Sequence, residues 1–484
     1  MRLDIRKLLV ISAMAVVGAA ATPLTRNAKL TTMDAGGDLD RQVRKVVATP
    51  ATPHWMGWVV PAVEGSGTSC CFSDLGDLGN DNGCCWGCKL EGGNSVVISS
   101  GDVVQSRDGK IINLEGSGGY SILLRAASGK INRIRAFSEG CALDAGGLGL
   151  TWLENVAQAD SLRLLEKLAL DPDAVDDDGD RLGESAVMAV AMHADPQADP
   201  ILARLAGPGH DEDMREQAIF WMGDARGRAG YETLRRIVKD DPDEEFREKA
   251  VFALTQSELP EASDFVMSIA RGQAIPDLQG KAIEVLGLEE NARTASLLRE
   301  VYTSTTDRPI KRSIMQAYMT SDDTAGLVHV LSTEKDPELR RDAIELLGAQ
   351  EATDDLVRLY RSESDARNRE QILRALGVAE GADELAAVVR AETDPRLRRA
   401  AIQSLGIIDG HQSGSLLEHI YATETDREVR SEVLQSFMVQ DNSRALIAIA
   451  RREKDPGLKR KAVEMLSHME DTAALEFLGE ILEQ

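Results

Sequence analysis

Cys70, Cys71, Cys84, Cys85, Cys88 and Cys141 are the most reactive side chains in the sequence, and five of the six fall within 19 residues. Thiols at that density suit a disulfide framework, in which each bridge contributes about 2–4 kcal/mol to a module too small to build a large core. The spacing leaves their connectivity open. The rival chemistry is zinc: Cys85-x-x-Cys88 with Cys70 or Cys71 could present thiolates to one tetrahedral ion. An oxidising compartment favours bridges over metal. No histidine stands at recognisable spacing from these thiols, so a catalytic cysteine is a weak third reading.

A second candidate chemistry is cation binding. Asp171, Asp173, Asp176, Asp177, Asp178 and Asp180, with Gly179 and Glu184, concentrate hard oxygen ligands of the kind calcium takes. The calcium-loop pattern fails, because placing Gly179 sixth puts Ala174 first and Ser185 twelfth. A solvated helix-to-helix loop is the expected alternative. Asp74, Asp77, Asn80, Asp81 and Asn82 form a second, weaker acidic candidate. None of the seven histidines is followed by glutamate, and no nucleophile elbow or phosphate loop occurs. The sequence therefore assigns no catalytic residue, metal or cofactor.

These side chains sit in a chain of 484 residues, 43% hydrophobic but only 4% aromatic, a balance that suits stacked helices better than a β-rich enzyme core. A net charge of −25 argues against nucleic acid and anionic membrane surfaces as partners. Residues 1–21 read as a signal peptide, with Arg2, Arg6 and Lys7 before an apolar run ending at Ala19-Ala20-Ala21. That run is too short to span a bilayer, so export to the periplasm or the extracellular space is expected, without stable membrane insertion after cleavage. With no cysteine before Cys70, a lipid anchor is not expected. Residues 22–50 read as a linker. Residues 51–149 read as a Trp- and Cys-rich β module holding Trp55, Trp58 and Trp86. Its expected strands include Trp58–Val63, Tyr120–Ala126 and Ile131–Phe137, the last two joined by a turn at Ser128-Gly129.

From residue 150 to 484 the chain repeats. Arg215, Arg247, Gln279, Lys311, Arg340, Arg369, Arg398, Arg430 and Lys459 recur at steps of 32 or 29 residues. Four residues before each stands an aspartate, from Asp211 to Asp455, except for Ile275. Aspartate there caps a helix N-terminus. Small and branched apolar residues follow three and four positions after the cation, as in Ala218-Ile219 and Ala343-Ile344, giving a buried stripe. A second amphipathic run precedes each aspartate. Each unit is thus a helix pair that buries its apolar face only by stacking on its neighbours.

The segments Asp336 to Gly348 and Asp394 to Gly406 resemble the second helix of HEAT repeats, and the resemblance covers residues 150–484 as about nine or ten pairs, with Gly183 in the cation's place in the first. The layout as a whole is similar to exported bacterial HEAT-repeat proteins. The expected fold is therefore mainly α, a HEAT-like α-solenoid preceded by a small Cys-rich β module. The resemblance implies an interaction scaffold whose second helices line a concave surface, and whose Asp and Arg positions pair between neighbouring units.

Positions one and five after the repeating cation lie opposite the buried stripe, one helical turn apart. Position five reads Met188, Phe220 and Phe252, then Glu284, Gln316, Glu345, Arg374, Gln403, Gln435 and Glu464. Met188, Phe220, Phe252 and the flanking Trp221 are the candidate contact for an unidentified protein or peptide. The alternative is that the β module folds back and covers them as a cap. Arg341 with Glu345, Glu370 with Arg374 and Arg460 with Glu464 have the spacing of an ordinary solvated face. A non-enzymatic exported scaffold is the expected function. The alternatives are a lyase-type accessory enzyme built on HEAT repeats, an extracellular adaptor whose β module binds the ligand, and a calcium-dependent cell-surface protein.

Overall fold

The computed structural model describes residues 23–48, 52–63, 68–72, 88–91, 96–99, 103–105, 111–113, 118–139, 142–177, 179–289 and 291–482. They form two compact units, divided between Val266 and Met267. The expected signal peptide, Cys84, Cys85, Cys141, Trp86 and the second acidic candidate lie outside the described residues, as do the side chains of Cys70 and Cys71.

The first unit opens with β1 (Thr25–Arg26), β2 (Lys29–Asp34), α1 (Leu39–Val47), β3 (His54–Pro61), β4 (Thr68–Phe72), β5 (Cys88–Lys89), β6 (Val96–Ser99), β7 (Val103–Gln105), β8 (Ile111–Asn113), β9 (Gly119–Ala127), β10 (Lys130–Ser138), β11 (Leu143–Asp144) and β12 (Gly149–Glu154). Five strands make the main sheet in the order β10-β9-β3-β12-β2. β3, β9 and β10 pair antiparallel, and β12 runs parallel to both β3 and β2. Ser128 and Gly129 both take positive φ, 52° and 79°, the two-residue turn geometry that matches strand twist. Trp55, Leu123, Phe137, Leu143, Leu150 and Trp152 pack as one buried cluster.

Two expected boundaries shift. Residues expected as linker instead supply β1, β2 and α1. β2 was hard to see because it is an edge strand whose side chains are mostly exposed, so it lacks strict alternation. α1 buries Leu39, Val43 and Val46 behind an Asp38 cap, a helical stripe confined to nine residues. β12 carries the sheet past residue 149 to Glu154, pairing with β2 along its length.

Three helix pairs follow in this unit: α2 (Gln158–Leu170) with α3 (Gly183–Ala191), α4 (Ala198–Leu205) with α5 (Glu212–Ala225), and α6 (Gly227–Asp240) with α7 (Glu244–Thr255). The second helices α3, α5 and α7 pack side by side. The β module is joined to the first pair by backbone bonds. Val63 N–H donates to Met192 O at 3.0 Å and Ala194 N–H to Pro61 O at 2.9 Å. Beneath them, His193 is wholly buried. Its Nδ1 donates to Ala189 O at 2.7 Å, leaving Nε2 to accept from Ser161 Oγ at 2.8 Å. Ser161 in turn accepts the Trp58 indole N–H at 2.8 Å. Arg226, also buried, donates through Nη1 to Ala191 O at 2.9 Å and His193 O at 2.6 Å, and its Nε reaches Asp199 at 2.7 Å. It closes the C-terminal carbonyls of α3 with a cation, the charge that end favours.

α8 (Pro260–Ala270) carries the chain into the second unit. There the helices are α9 (Gln279–Leu286), α10 (Ala292–Ser304), α11 (Arg308–Thr320), α12 (Thr324–Thr333), α13 (Pro337–Ala349), α14 (Thr353–Ser362) and α15 (Ala366–Val378). They continue with α16 (Ala382–Ala391), α17 (Pro395–Ile407), α18 (Gly410–Thr423), α19 (Arg427–Val439), α20 (Ser443–Arg452), α21 (Pro456–Ser467) and α22 (Thr472–Leu482). Odd-numbered second helices again pack on one another, as do first helices such as α10 with α12 and α16 with α18.

The capping aspartates behave as the sequence predicts. Asp336, Asp365, Asp426 and Asp455 each accept two backbone N–H groups of their own helix, while Asp211, Asp243, Asp307 and Asp394 accept one. The unit with Ile275 departs. Ile275 sits at φ 47°, and its second helix begins as a 3-10 turn over Pro276–Leu278. A branched side chain in the left-handed region is strained. Without a capping carboxylate, the first turn closes by tighter bonds instead.

Candidate interaction surface

The position-five side chains of the second unit, from Glu284 to Glu464, are all exposed. The three apolar positions of the first unit are graded instead. Phe252 on α7 is 36% exposed, Phe220 on α5 is half-buried, and Met188 on α3 is buried at 6%. Trp221 is buried as well and meets the Phe220 ring edge-on, with centroids 5.2 Å apart. Met188 lies on a helix, α3, that packs against α2, α5 and β10. The β module thus covers the second helix of the first pair, while Phe220 and Phe252 keep open surface. The buried Trp221 Nε1 has no hydrogen-bond acceptor.

This strip lies in a negative field. Position one of the three helices is Glu184, Glu216 and Glu248, each one turn from the apolar residue on its own helix. Partial burial raises the Glu184 carboxyl above its ordinary value, and the charges of Asp213, Asp180, Glu216 and Asp211 push it further. Glu216 pairs with Lys249 at 2.5 Å, and Lys249 also meets Glu245 at 3.0 Å. Among the described residues, Glu184, Asp213 and Glu248 have no ion-pair partner. A cleft of about 370 Å³ opens beside Glu184, walled by Asp180, Arg181, Asp213 and β10 residues Arg133 and Arg135.

The acidic loop between α2 and α3 is held more firmly than a solvated loop would be. Val175 bridges to Arg181. Asp177 accepts from Arg125 Nη1 at 2.9 Å and Asn132 Nδ2 at 2.5 Å, with Arg133 at 3.8 Å. Its carboxylate therefore serves the β sheet. Among the described residues, no group of three or more His, Cys, Asp or Glu side chains is placed to hold a metal ion. Cys88 is buried in the tryptophan-lined cluster.

The repeating cations make a ladder that the sequence pattern only half revealed. Six of the nine, Arg215, Lys311, Arg340, Arg369, Arg398 and Arg430, reach a carboxylate near the end of the next first helix. Arg215 meets Asp241 at 2.7 Å, Lys311 meets Glu334 at 2.6 Å, Arg340 meets Glu363 at 3.3 Å and Arg369 meets Glu392 at 2.5 Å. Arg398 with Glu424 and Arg430 with Glu453 repeat the pairing. Tyr302, Tyr360 and Tyr421 donate to Glu334, Glu392 and Glu453 at 2.9, 2.8 and 2.6 Å. The implied pairing of capping aspartates with the repeating arginines is thus replaced by glutamates, since the aspartates are occupied by their own helix ends. Asp336 and Asp455 additionally meet Arg308 and Arg427, which follow the caps of the preceding pairs. The missed signal is a glutamate 23 residues after Lys311, Arg340, Arg369 and Arg430. Above these pairs, clefts open between first helices. One of about 560 Å³ is lined by Tyr360, Arg369, Leu376 and Val388, and one of about 600 Å³ by Tyr421, Arg430 and Ile449. On the second-helix side, Arg374–Glu370 and Arg341–Glu345 form at 2.6 and 4.0 Å.

The sequence matches the family profile described as HEAT repeats over residues 231–319 and 378–438. No curated protein sequence matches the chain. Among solved structures, it is similar to YibA of Escherichia coli, at 15% identity over 49% of this chain and 91% of that one, with a TM-score of 0.28. Human deoxyhypusine hydroxylase in complex with glycerol is 18% identical over 62% of this chain and 99% of that one, with a TM-score of 0.22. Kap121p bound to Pho4p is 11% identical over 70% and 44%, with a TM-score of 0.33. The fold is a mainly α-helical solenoid of HEAT type preceded by a β-sheet module. Solenoids of stacked helix pairs present extended surfaces suited to protein partners, and no helix among the described residues is long and apolar enough to cross a membrane.

Proposed function

We propose that this chain is a non-enzymatic scaffold that binds a polypeptide along its second helices, with Phe220 and Phe252 as the apolar contact. The observation that carries the reading is Phe252, 36% exposed at a position where every second-unit repeat presents a polar side chain to solvent. A large apolar side chain held open at a repeated, otherwise polar position is the signature of a contact rather than of a core. Trp221 supports Phe220 from behind by edge-to-face packing.

The scaffold works outside the cytoplasm in this proposal. The charged and then apolar start of the sequence supports export. A disulfide at the buried Cys88 would fit an oxidising compartment. One of Cys70, Cys71, Cys84, Cys85 and Cys141 would be its partner, and the other four would form two further bridges of the same framework.

The test is capture of partner proteins by the tagged chain from its own source, compared with a Phe220→Ser/Phe252→Ser double variant. Loss of the captured partner at unchanged melting temperature is expected. Undiminished capture accompanied by a lowered melting temperature would show that the two rings serve only internal packing.

A further inference from the structure

The negative field and the apolar strip of the first unit share the same three helices, and together they specify a partner. On α5 and α7 an aromatic side chain lies one turn from a carboxylate, in Phe220 with Glu216 and Phe252 with Glu248. On α7 Lys249 offsets this row and is spent on Glu216 and Glu245, while of the arginines that line the cleft beside Glu184, Arg181 pairs with Asp211 and Arg133 with Asp177. Glu184, Asp213 and Glu248 stand without cations among the described residues. The Glu184 carboxyl is raised first by its partial burial and then by the charges of Asp213, Asp180, Glu216 and Asp211. A ligand bringing positive charge would relieve that repulsion, whereas an acidic one would add to it.

Spacing sets the ligand's conformation. Adjacent packed helices lie about 10 Å apart, and a chain in the extended polyproline II conformation advances about 3.1 Å per residue with three residues per turn, returning every third side chain to the same face. A segment in that conformation crossing α5 and α7 therefore presents one side chain to each successive helix at every third residue, whereas in a β-strand residues three apart face opposite ways. A helical ligand, rising about 1.5 Å per residue, would need anchors about two turns apart to do the same.

Resting on the scaffold reading above, we infer that the α3–α5–α7 face takes an extended basic segment of another polypeptide, with an apolar side chain at every third residue seated on Phe220 and Phe252 and with lysine or arginine between them facing Glu184, Asp213 and Glu248.

The experiment is fluorescence anisotropy of the full chain with labelled octapeptides. The test peptide has leucine at its third and sixth positions and lysine elsewhere. One control replaces every lysine with glutamine, and another places the two leucines side by side. The test peptide should bind with salt-sensitive affinity and exceed both controls. A Glu184→Gln/Asp213→Asn/Glu248→Gln variant should weaken it by about ten-fold, and Phe252→Ser should weaken it comparably. A Glu284→Gln/Glu345→Gln/Glu464→Gln variant, which removes the same net charge elsewhere, should leave binding unchanged. Equal loss in both charge variants would reduce the effect to bulk attraction and overturn the inference. Equal binding of the glutamine peptide, still sensitive to Phe252→Ser, would overturn the basic partner and leave the scaffold intact. Absence of binding by the lysine peptide would also overturn the inference. The scaffold reading itself falls only if the capture experiment is indifferent to Phe220 and Phe252.

Discussion

Tyr360 Oη and Arg369 Nη2 converge on one oxygen of Glu392, at 2.8 and 2.5 Å, from the preceding helix pair. The guanidinium also lies 4.2 Å from the Tyr360 ring centroid, so one cation serves a carboxylate and an aromatic face together. The arrangement recurs around Glu334 and Glu453. It joins consecutive pairs through groups that are half-buried or better.

The ladder makes the second unit acid-sensitive. Burial alone would raise the Glu334 carboxyl. Lys311, the Asp336 and Lys335 N–H groups and Tyr302 outweigh it and hold the group at about 2, against an ordinary 4.5. A carboxylate depressed on folding stabilises fully above its unfolded value and loses that contribution as pH falls towards the folded one. Urea unfolding of the intact chain should therefore show falling stability from about pH 4.5 down to pH 2. Glu334→Gln should cost about 1–3 kcal/mol at neutral pH and flatten part of that slope.

His193 works in a different window. Burial, with a smaller contribution from Arg226, lowers it from 6.5 to about 4, against an opposing bond to Ala189 O. Between those values the unfolded chain binds the extra proton, so stability is full above pH 6.5 and declines as pH falls to 4. His193→Gln should remove this slope. Ser161→Ala, which leaves the Trp58 N–H and His193 Nε2 unpaired, should cost about 1–3 kcal/mol. Fluorescence of the buried tryptophans would follow both.

Arg226 should be intolerant of conservative exchange. Its Nη1 serves two carbonyls and its Nε serves Asp199, a fork that the single ammonium of lysine cannot reproduce. Arg226→Lys should still destabilise measurably, and Arg226→Ala should cost about 3–5 kcal/mol. Differential scanning calorimetry of both variants checks this. Equal stability of the lysine variant would mean that charge alone matters there.

Helix approach gives a steric prediction. A Cβ on Gly223 would lie 2.0 Å from Ala253 O, whereas one on Gly479 would meet nothing within 4 Å. Gly223→Ala should force α5 and α7 apart and cost about 1–3 kcal/mol, while Gly479→Ala in α22 should stabilise by about 0.4–1 kcal/mol. Melting temperatures of the two variants should move in opposite directions.

The repeating part of the fold was legible because ten helix pairs restate one pattern, so the caps and buried stripes reinforce one another along the chain. Even the exception was legible: Ile275, lacking the capping carboxylate, marks the helix that opens as a 3-10 turn. The lone elements were not. β2 shows too little alternation and α1 is too short for a periodicity to emerge. The candidate strip is graded in exposure from Phe252 to the buried Met188, whose helix packs against α2, α5 and β10, a tertiary arrangement that no local spacing encodes. The Tyr–Glu–Arg clusters escaped because their members come from different helix pairs, and the tyrosine recurs far less often than the cation and the cap.

In the ladder the cation always belongs to the earlier pair and the carboxylate to the later one. The array therefore has a reading frame. Excising one whole 29-residue period, from Asp336 through Ser364, would bring Asp365 behind Glu334, remove Arg340 together with Glu363, and keep the Lys311–Glu334 and Arg369–Glu392 pairs on either side. A cut of half that length would remove one of Arg340 and Glu363 and strand the other. Growth and loss of repeats are thereby restricted to complete modules, a grammar written in ion pairs rather than in apolar packing.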